Sequence, residues 1–213
     1  MSGPGTIDGR TKRATAKRES RRAAILRGAL TVFGRQGYHH THISDIIEAA
    51  GIARGTFYLY FDSKSQIFLE LLDELLDQLS ASVVGVETGP ESPPIELQLI
   101  GTVRRILDTV VQNRLLANII VREAIGLDVE AGAKLKQFYD TLLAYIRKSL
   151  EEGKRLGLVR DLDVEVAAMC ILGSIKQFME QLVMNDESTP VDVDRMALAV
   201  LDFNLRGVLA PAS

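Results

Sequence analysis

Residues 41–64 read Thr41-His42-Ile43-Ser44-Asp45-Ile46-Ile47-Glu48-Ala49-Ala50-Gly51-Ile52-Ala53-Arg54-Gly55-Thr56-Phe57-Tyr58-Leu59-Tyr60-Phe61-Asp62-Ser63-Lys64. Ile46, Ile47 and Ala50 share one face of a helix spanning about 43–50, and Gly51 breaks it. A short helix at about 54–60 follows, with Phe57 and Phe61 turned inward. Ala50 is small enough to let the two helices cross closely, and Ile46, Ile52 and Phe57 fill the angle between them. Two short helices about a tight turn form a helix-turn-helix, whose second helix is sized for the major groove of duplex DNA. Its outward residues are Arg54, Gly55, Thr56, Tyr58 and Tyr60. Arginine reaches a base edge or a phosphate, glycine lets backbone approach, threonine offers a hydroxyl and a methyl, and the tyrosines donate to phosphate oxygens. Lys64 adds charge at the start of the next helix, where backbone N–H groups also favour a phosphate. Ser63 is placed to cap that helix.

Working outward, Ile25, Leu26, Ala29, Leu30, Val32 and Phe33 recur at helical spacing before the motif, in a helix that starts near Lys17 and stops at Gly37. Residues 1–16 lack apolar periodicity and are expected to form a flexible basic arm. After the motif, Ile67, Phe68, Leu71, Leu72, Leu75, Leu76 and Leu79 mark a strongly amphipathic helix at about 65–84. Further helices are expected at about 95–113, 115–125, 131–155, 164–184 and 191–209. Turn chemistry separates them at Gly126-Leu127-Asp128, at Gly153 and Gly157, and from Asp186 to Pro190. No segment alternates apolar and polar residues long enough for a strand. The fold class is all-α, with about nine helices. Three parts follow: 1–16, the arm; 17–64, the DNA-binding helices; and 65–213, a further helical domain.

Charge supports that division. Residues 1–65 hold 11 Lys and Arg against 5 Asp and Glu, whereas the remainder holds 14 against 23, within a net charge of −3. One basic end on an acidic chain fits one segment that meets a polyanion and another with a different task. The single cysteine, Cys170, excludes a disulfide framework, a four-cysteine zinc module and an iron–sulfur cluster within one chain. It reads as a small core residue. His39, His40 and His42 are too close in sequence to converge readily on one ion, and no metal site is expected. The longest uncharged apolar stretch, 166–175, is half of the ~20 residues that span a bilayer. No membrane partner, no cofactor and a cytoplasmic location are expected.

The run Gly37-Tyr38, Thr41, Ile46, Ala50-Gly51-Ile52, Gly55-Thr56-Phe57-Tyr58, Tyr60-Phe61, Lys64 resembles the DNA-binding signature of the TetR (tetracycline repressor) family. Residues 152–173 resemble, more loosely, the junction of that family's seventh and eighth helices. The resemblance implies a homodimeric, ligand-responsive repressor that binds a palindromic operator. Carried over by position, Thr41, Ser44, Arg54, Gly55, Thr56, Tyr58, Tyr60 and Lys64 are the DNA contacts. His39-His40-Thr41-His42 departs from the small and hydroxyl residues the family favours there.

Helix eight is apolar nearly all round, so it needs cover on more than one side. Paired with helix nine, and repeated across a two-fold axis, it makes a four-helix dimer interface. The family builds its ligand pocket among helices four to eight. In this chain Arg104, Asn118, Arg122, Phe138, Tyr139, Leu142 and Gln177 are the candidate ligand contacts, and the scarcity of polar residues favours an apolar or amphipathic effector. No catalytic constellation is visible, so the chain is not read as an enzyme. A helical interaction module and a corepressor-dependent regulator are the alternatives.

Overall fold

A computed structural model describes residues 6–123, 129–184 and 192–208, with side chains described over 11–121, 129–184 and 192–208. The expected turns at 126–128 and 186–190 lie outside the described residues. Nine α-helices are described: α1 (Thr6–Gln36), α2 (Ile43–Ala50), α3 (Arg54–Phe57), α4 (Lys64–Ser82), α5 (Ile95–Gln112), α6 (Arg114–Glu123), α7 (Val129–Arg155), α8 (Val164–Met184) and α9 (Val193–Val208). Apart from an isolated bridge at Val159, no β-structure occurs among the described residues. The chain divides into two compact units, Met1–Leu72 and Asp73–Ser213.

The first unit is closed by aromatic packing. Phe33 meets Tyr38 and Phe68 at ring-centroid distances of 5.4 and 6.3 Å, and Tyr38 meets Phe68 at 5.0 Å. Phe57, Phe61, Ile25, Ile46 and Ile67 are fully buried around them. Gly37 ends α1 at φ +82°, where a side chain would be strained, and its N–H closes back on the Phe33 carbonyl at 2.9 Å. The close helix crossing is not the one expected from Ala50. A Cβ at Gly28 would lie 3.0 Å from the Ala50 backbone nitrogen, so the tight approach joins α1 to α2 rather than α2 to α3.

Helix α1 also corrects the arm. It is helical from Thr6, ahead of the expected start, and residues 11–21 are exposed throughout. Basic and small residues sustain helix without any apolar stripe, because lysine, arginine and alanine have high intrinsic propensity.

In the second unit Val103 and Leu107 of α5, Leu182 of α8, and Ala197 and Leu201 of α9 form a buried core. Asn204 on α9 donates to the Ser174 hydroxyl on α8 at 2.9 Å. Gly153, expected as a break, is instead buried inside α7 against Val159, and the helix stops at Gly157, which adopts φ +72°. The Leu158 N–H then reaches back to the Gly153 carbonyl at 2.9 Å, as in a Schellman-type end. Asp163 caps α8, accepting from the N–H groups of Glu165 and Val166 at 3.0 and 3.2 Å. Among the described residues α8 is the one helix long and apolar enough to cross a bilayer by length and composition. It packs on α5, α6, α7 and α9 and carries a Lys176–Glu180 ion pair at 3.2 Å.

Candidate nucleic-acid interface

The helix-turn-helix is fixed by local chemistry at each end. The Asp45 carboxylate accepts the His42 N–H at 2.9 Å, closing the first turn of α2, and accepts the Gln36 amide at 2.8 Å. These donors, the His42 backbone first, hold the Asp45 carboxyl below its ordinary range. Gly51 ends α2 at φ +62°, and its N–H returns to the Glu48 carbonyl at 3.1 Å.

Helix α3 is shorter than its expected span to Tyr60. Regular helix covers Arg54–Phe57 only, and turn bonds carry the chain on, from the Tyr60 N–H to the Phe57 carbonyl at 2.9 Å and from the Phe61 N–H to the same carbonyl at 3.1 Å. The segment is clamped by Phe57 and Phe61, at 0% and 1% exposure. Arg54, Gly55 and Tyr58 therefore stand in solvent, with Thr56 and Tyr60 half-buried beside them and Ser44 exposed on α2.

One exposed residue escaped the sequence reading. Leu59 is 74% exposed, unusual for a leucine between two tyrosines and two core phenylalanines. A helical projection contains the signal, since residue 59 falls roughly opposite 57 and 61 at about 100° per residue.

Two expected DNA contacts have other partners. Thr41 is buried at 1% exposure, and its hydroxyl donates to the Gly37 carbonyl at 2.7 Å. Its side chain closes the loop between α1 and α2 and does not face solvent. The Lys64 ammonium donates to the carbonyls of Tyr38, His39 and Thr41 at 2.8, 3.1 and 2.9 Å, and lies 4.8 Å from the Tyr38 ring centroid. An ammonium has three protons. All three are directed at carbonyls of that loop, so Lys64 staples α4 to it. Ser63 caps α4 as expected, its hydroxyl accepting the Gln66 N–H at 3.1 Å. His39 packs edge-on against Tyr38, with ring centroids 5.4 Å apart. Among the described residues no three metal-ligating side chains converge.

The candidate ligand residues of the second unit do not form one set. Phe138, Tyr139 and Leu142 are half-buried on α7. Burial raises the Tyr139 phenol above its ordinary pKa, although Lys176, 5.6 Å from its ring centroid, acts the other way. Asn118 is also half-buried. Its amide nitrogen donates to the Val183 carbonyl at 3.3 Å, and its amide oxygen is buried without a hydrogen-bond partner. Arg104 is instead exposed, because it pairs with Asp194 across α5 and α9 at 3.1 Å. Gln177 faces solvent on α8, and the Arg122 side chain lies outside the described residues. Cys170 is exposed rather than in the core, since it lies on the outer face of α8 away from Ala168, Leu182 and Val183.

Comparison with known proteins agrees with this geometry. Residues 25–71 match the profile of "Bacterial regulatory proteins, tetR family", and residues 92–180 match "Tetracyclin repressor-like, C-terminal domain". The Fatty acid metabolism regulator protein of Bacillus subtilis (strain 168) is 27% identical over 185 residues, covering 86% of this chain and 93% of that protein. The crystal structure of a TetR-family transcriptional regulator from Syntrophomonas wolfei shares 29% identity, covers 91% of this chain and 99% of its own, and has a TM-score of 0.67. FadR of Bacillus subtilis, solved in complex with stearoyl-CoA, shares 25% identity over 87% of this chain and 98% of its own, with a TM-score of 0.66. The chain belongs to the TetR family. Its matched N-terminal domain is that of a DNA-binding transcriptional regulator.

Proposed function

We propose that the chain is a cytoplasmic, non-enzymatic repressor that holds a palindromic operator as a homodimer and leaves it when an amphipathic acyl compound binds the second unit. The observation that carries the DNA-binding reading is the exposed strip Arg54, Gly55, Tyr58 and Leu59 on a segment whose other face is locked into the core. Arg54 contacts a base edge or phosphate, Gly55 admits close backbone approach, and Ser44, Thr56, Tyr58 and Tyr60 donate to the DNA backbone. Leu59 supplies apolar surface for a thymine methyl. Thr41 and Lys64 act one step removed, by fixing the loop from which α2 starts.

The dimer uses the outer faces of α8 and α9. Val166, Met169, Leu198 and Phe203 are 50, 54, 52 and 76% exposed there, apolar surface that a second copy removes from water. Two copies then present two α3 segments to half-sites about one helical turn, ~34–36 Å, apart or a multiple of it.

Two relatives support an acyl effector: the fatty acid metabolism regulator and the FadR structure that holds stearoyl-CoA. Phe138, Tyr139 and Leu142 are the proposed contacts for an acyl chain, and the buried amide oxygen of Asn118 is a free acceptor for a polar group. Helix α4 runs without a break from Lys64 to Ser82 and is the covalent route from the second unit to the recognition segment. DNA affinity falls by the effector's preference for the released state, and by no more than that.

Selection from random duplex DNA by the purified protein at fixed salt tests the first half. An enriched palindrome supports the reading, and salt-sensitive binding without enrichment counts against it. Titrating the protein–operator complex with stearoyl-CoA, with CoA and with stearate tests the second half. Release by either acyl compound and not by CoA is expected, and release by CoA alone would overturn the acyl assignment.

A further inference from the structure

Helix α1 extends well ahead of its own core. Its first fully buried residue is Ile25, yet the chain is helical through 11–24 with every residue of 11–21 exposed. The cations in this extension are not scattered. Arg13, Lys17 and Arg21 follow one another at i, i+4 and i+8, which places them within an arc of about 80° on one flank. Glu19 lies on the opposite flank. Arg22, a quarter-turn beyond the stripe, is already paired with Glu70 and sits over the Phe61 ring at 5.4 Å. Among the described residues Arg13, Lys17 and Arg21 make no ion pair or side-chain hydrogen bond.

Like charges four residues apart destabilise a helix, and no core compensates here. The stripe therefore works against folding in isolation, and a polyanion reverses the sign of that effect. Its direction within the first unit is also defined. Two turns further along the same flank stands Gly28, on which the Ala50 backbone of α2 rests. The stripe continues the side of α1 that carries the helix-turn-helix. From Arg13 to Arg21 it measures about 12 Å, at ~1.5 Å per residue. One DNA strand presents a phosphate roughly every 3.4 Å of helix axis. The three cations thus span a run of about four phosphates.

We infer that the extension of α1 docks lengthwise on the phosphate backbone of duplex DNA flanking the half-site, with Arg13, Lys17 and Arg21 forming a sequence-blind clamp. The inference rests on the reading that α3 binds a half-site. It assigns affinity and salt dependence to the extension, and sequence choice to α3. It also predicts that a duplex trimmed to the palindrome binds the full chain more weakly than the same palindrome with flanking DNA.

The test compares the full chain with the triple variant Arg13→Gln, Lys17→Gln, Arg21→Gln and with Arg18→Gln, which changes one cation off the stripe. Glutamine keeps helix propensity, and circular dichroism checks that helicity is unchanged. Affinity for flanked and trimmed duplexes is measured across a salt series. The expected result is that the triple variant selects the same palindrome and no longer distinguishes flanked from trimmed DNA. Its log–log salt slope is shallower by about 0.9 per lost contact, or about 5 for three contacts on each of two subunits. Arg18→Gln leaves the slope near that of the full chain. Parallel slopes for the triple variant and the full chain overturn the inference, as does a loss for Arg18→Gln equal to one third of the triple loss. Failure of the repressor reading looks different: the full chain then enriches no palindrome, and the salt slopes on unselected duplex still decide whether the stripe binds DNA.

Discussion

The two units bury their apolar residues to different degrees. The first closes on itself, with Phe33, Phe57, Phe61 and Phe68 at 0–1% exposure. The second leaves Met169 and Phe203 more than half exposed on α8 and α9 while burying Leu182, Ala197 and Leu201 on their other faces. A self-contained core suits a unit that offers a rigid polar surface to DNA. An open apolar face suits a unit completed by a second copy. In the first unit the exposed residues are the proposed DNA contacts and the buried ones hold them in place. In the second, exposure marks the proposed interface.

The largest expected effect breaks the first unit from inside. Phe57→Ala removes a fully buried ring and is expected to cost about 3–5 kcal/mol, lowering the melting temperature and abolishing DNA binding together. Arg54→Ala, three residues earlier and exposed, is expected to leave the melt unchanged and weaken DNA binding by about 1–3 kcal/mol. Equal melting shifts for the two would erase the distinction between clamp and contact.

On the second unit, Met169→Glu with Phe203→Glu places charge on the open face. Sedimentation should show a shift from dimer to monomer with helicity retained, because both residues lie outside the buried core. A dimer that persists unchanged places the interface elsewhere.

Lys64→Met tests the staple. Losing three charge-assisted bonds to the loop is expected to cost about 2–3 kcal/mol of first-unit stability. Were Lys64 a phosphate ligand instead, the melt would hold and only the salt slope of DNA binding would fall.

The smallest effect is that of pH. The Asp45 carboxyl is held below its ordinary pKa in the folded chain, so its contribution is present above the unfolded value and is lost as pH falls through the folded one. First-unit stability should decline on acidification through the carboxylate range, and Asp45→Asn should flatten that decline.

Much of this was legible along the chain. The helix order, the stops at Gly37 and Gly51, the cap at Ser63 and the inward turn of Phe57 and Phe61 follow from short-range spacing, because a helix face and a turn are properties of neighbouring residues. Leu59 was legible too, from its position opposite the two phenylalanines, and was obscured by its apolar character. The roles of Thr41 and Lys64 were not legible. Both are polar residues where a phosphate contact is chemically reasonable, and their partners lie 4 and 23–26 residues away in a loop whose path the sequence does not reveal.

The amino-acid sequence by itself determined an all-helical chain, a helix-turn-helix at residues 43–60 and a basic N-terminal end on an acidic body, because composition and periodicity act over a few residues. Only the tertiary structure decided that Arg104 pairs with Asp194, that Gly28 of α1 rather than a residue of α3 receives Ala50, and that Cys170 faces outward. These are contacts between helices distant in sequence, set by which faces pack together, and a single helix's periodicity leaves that choice open.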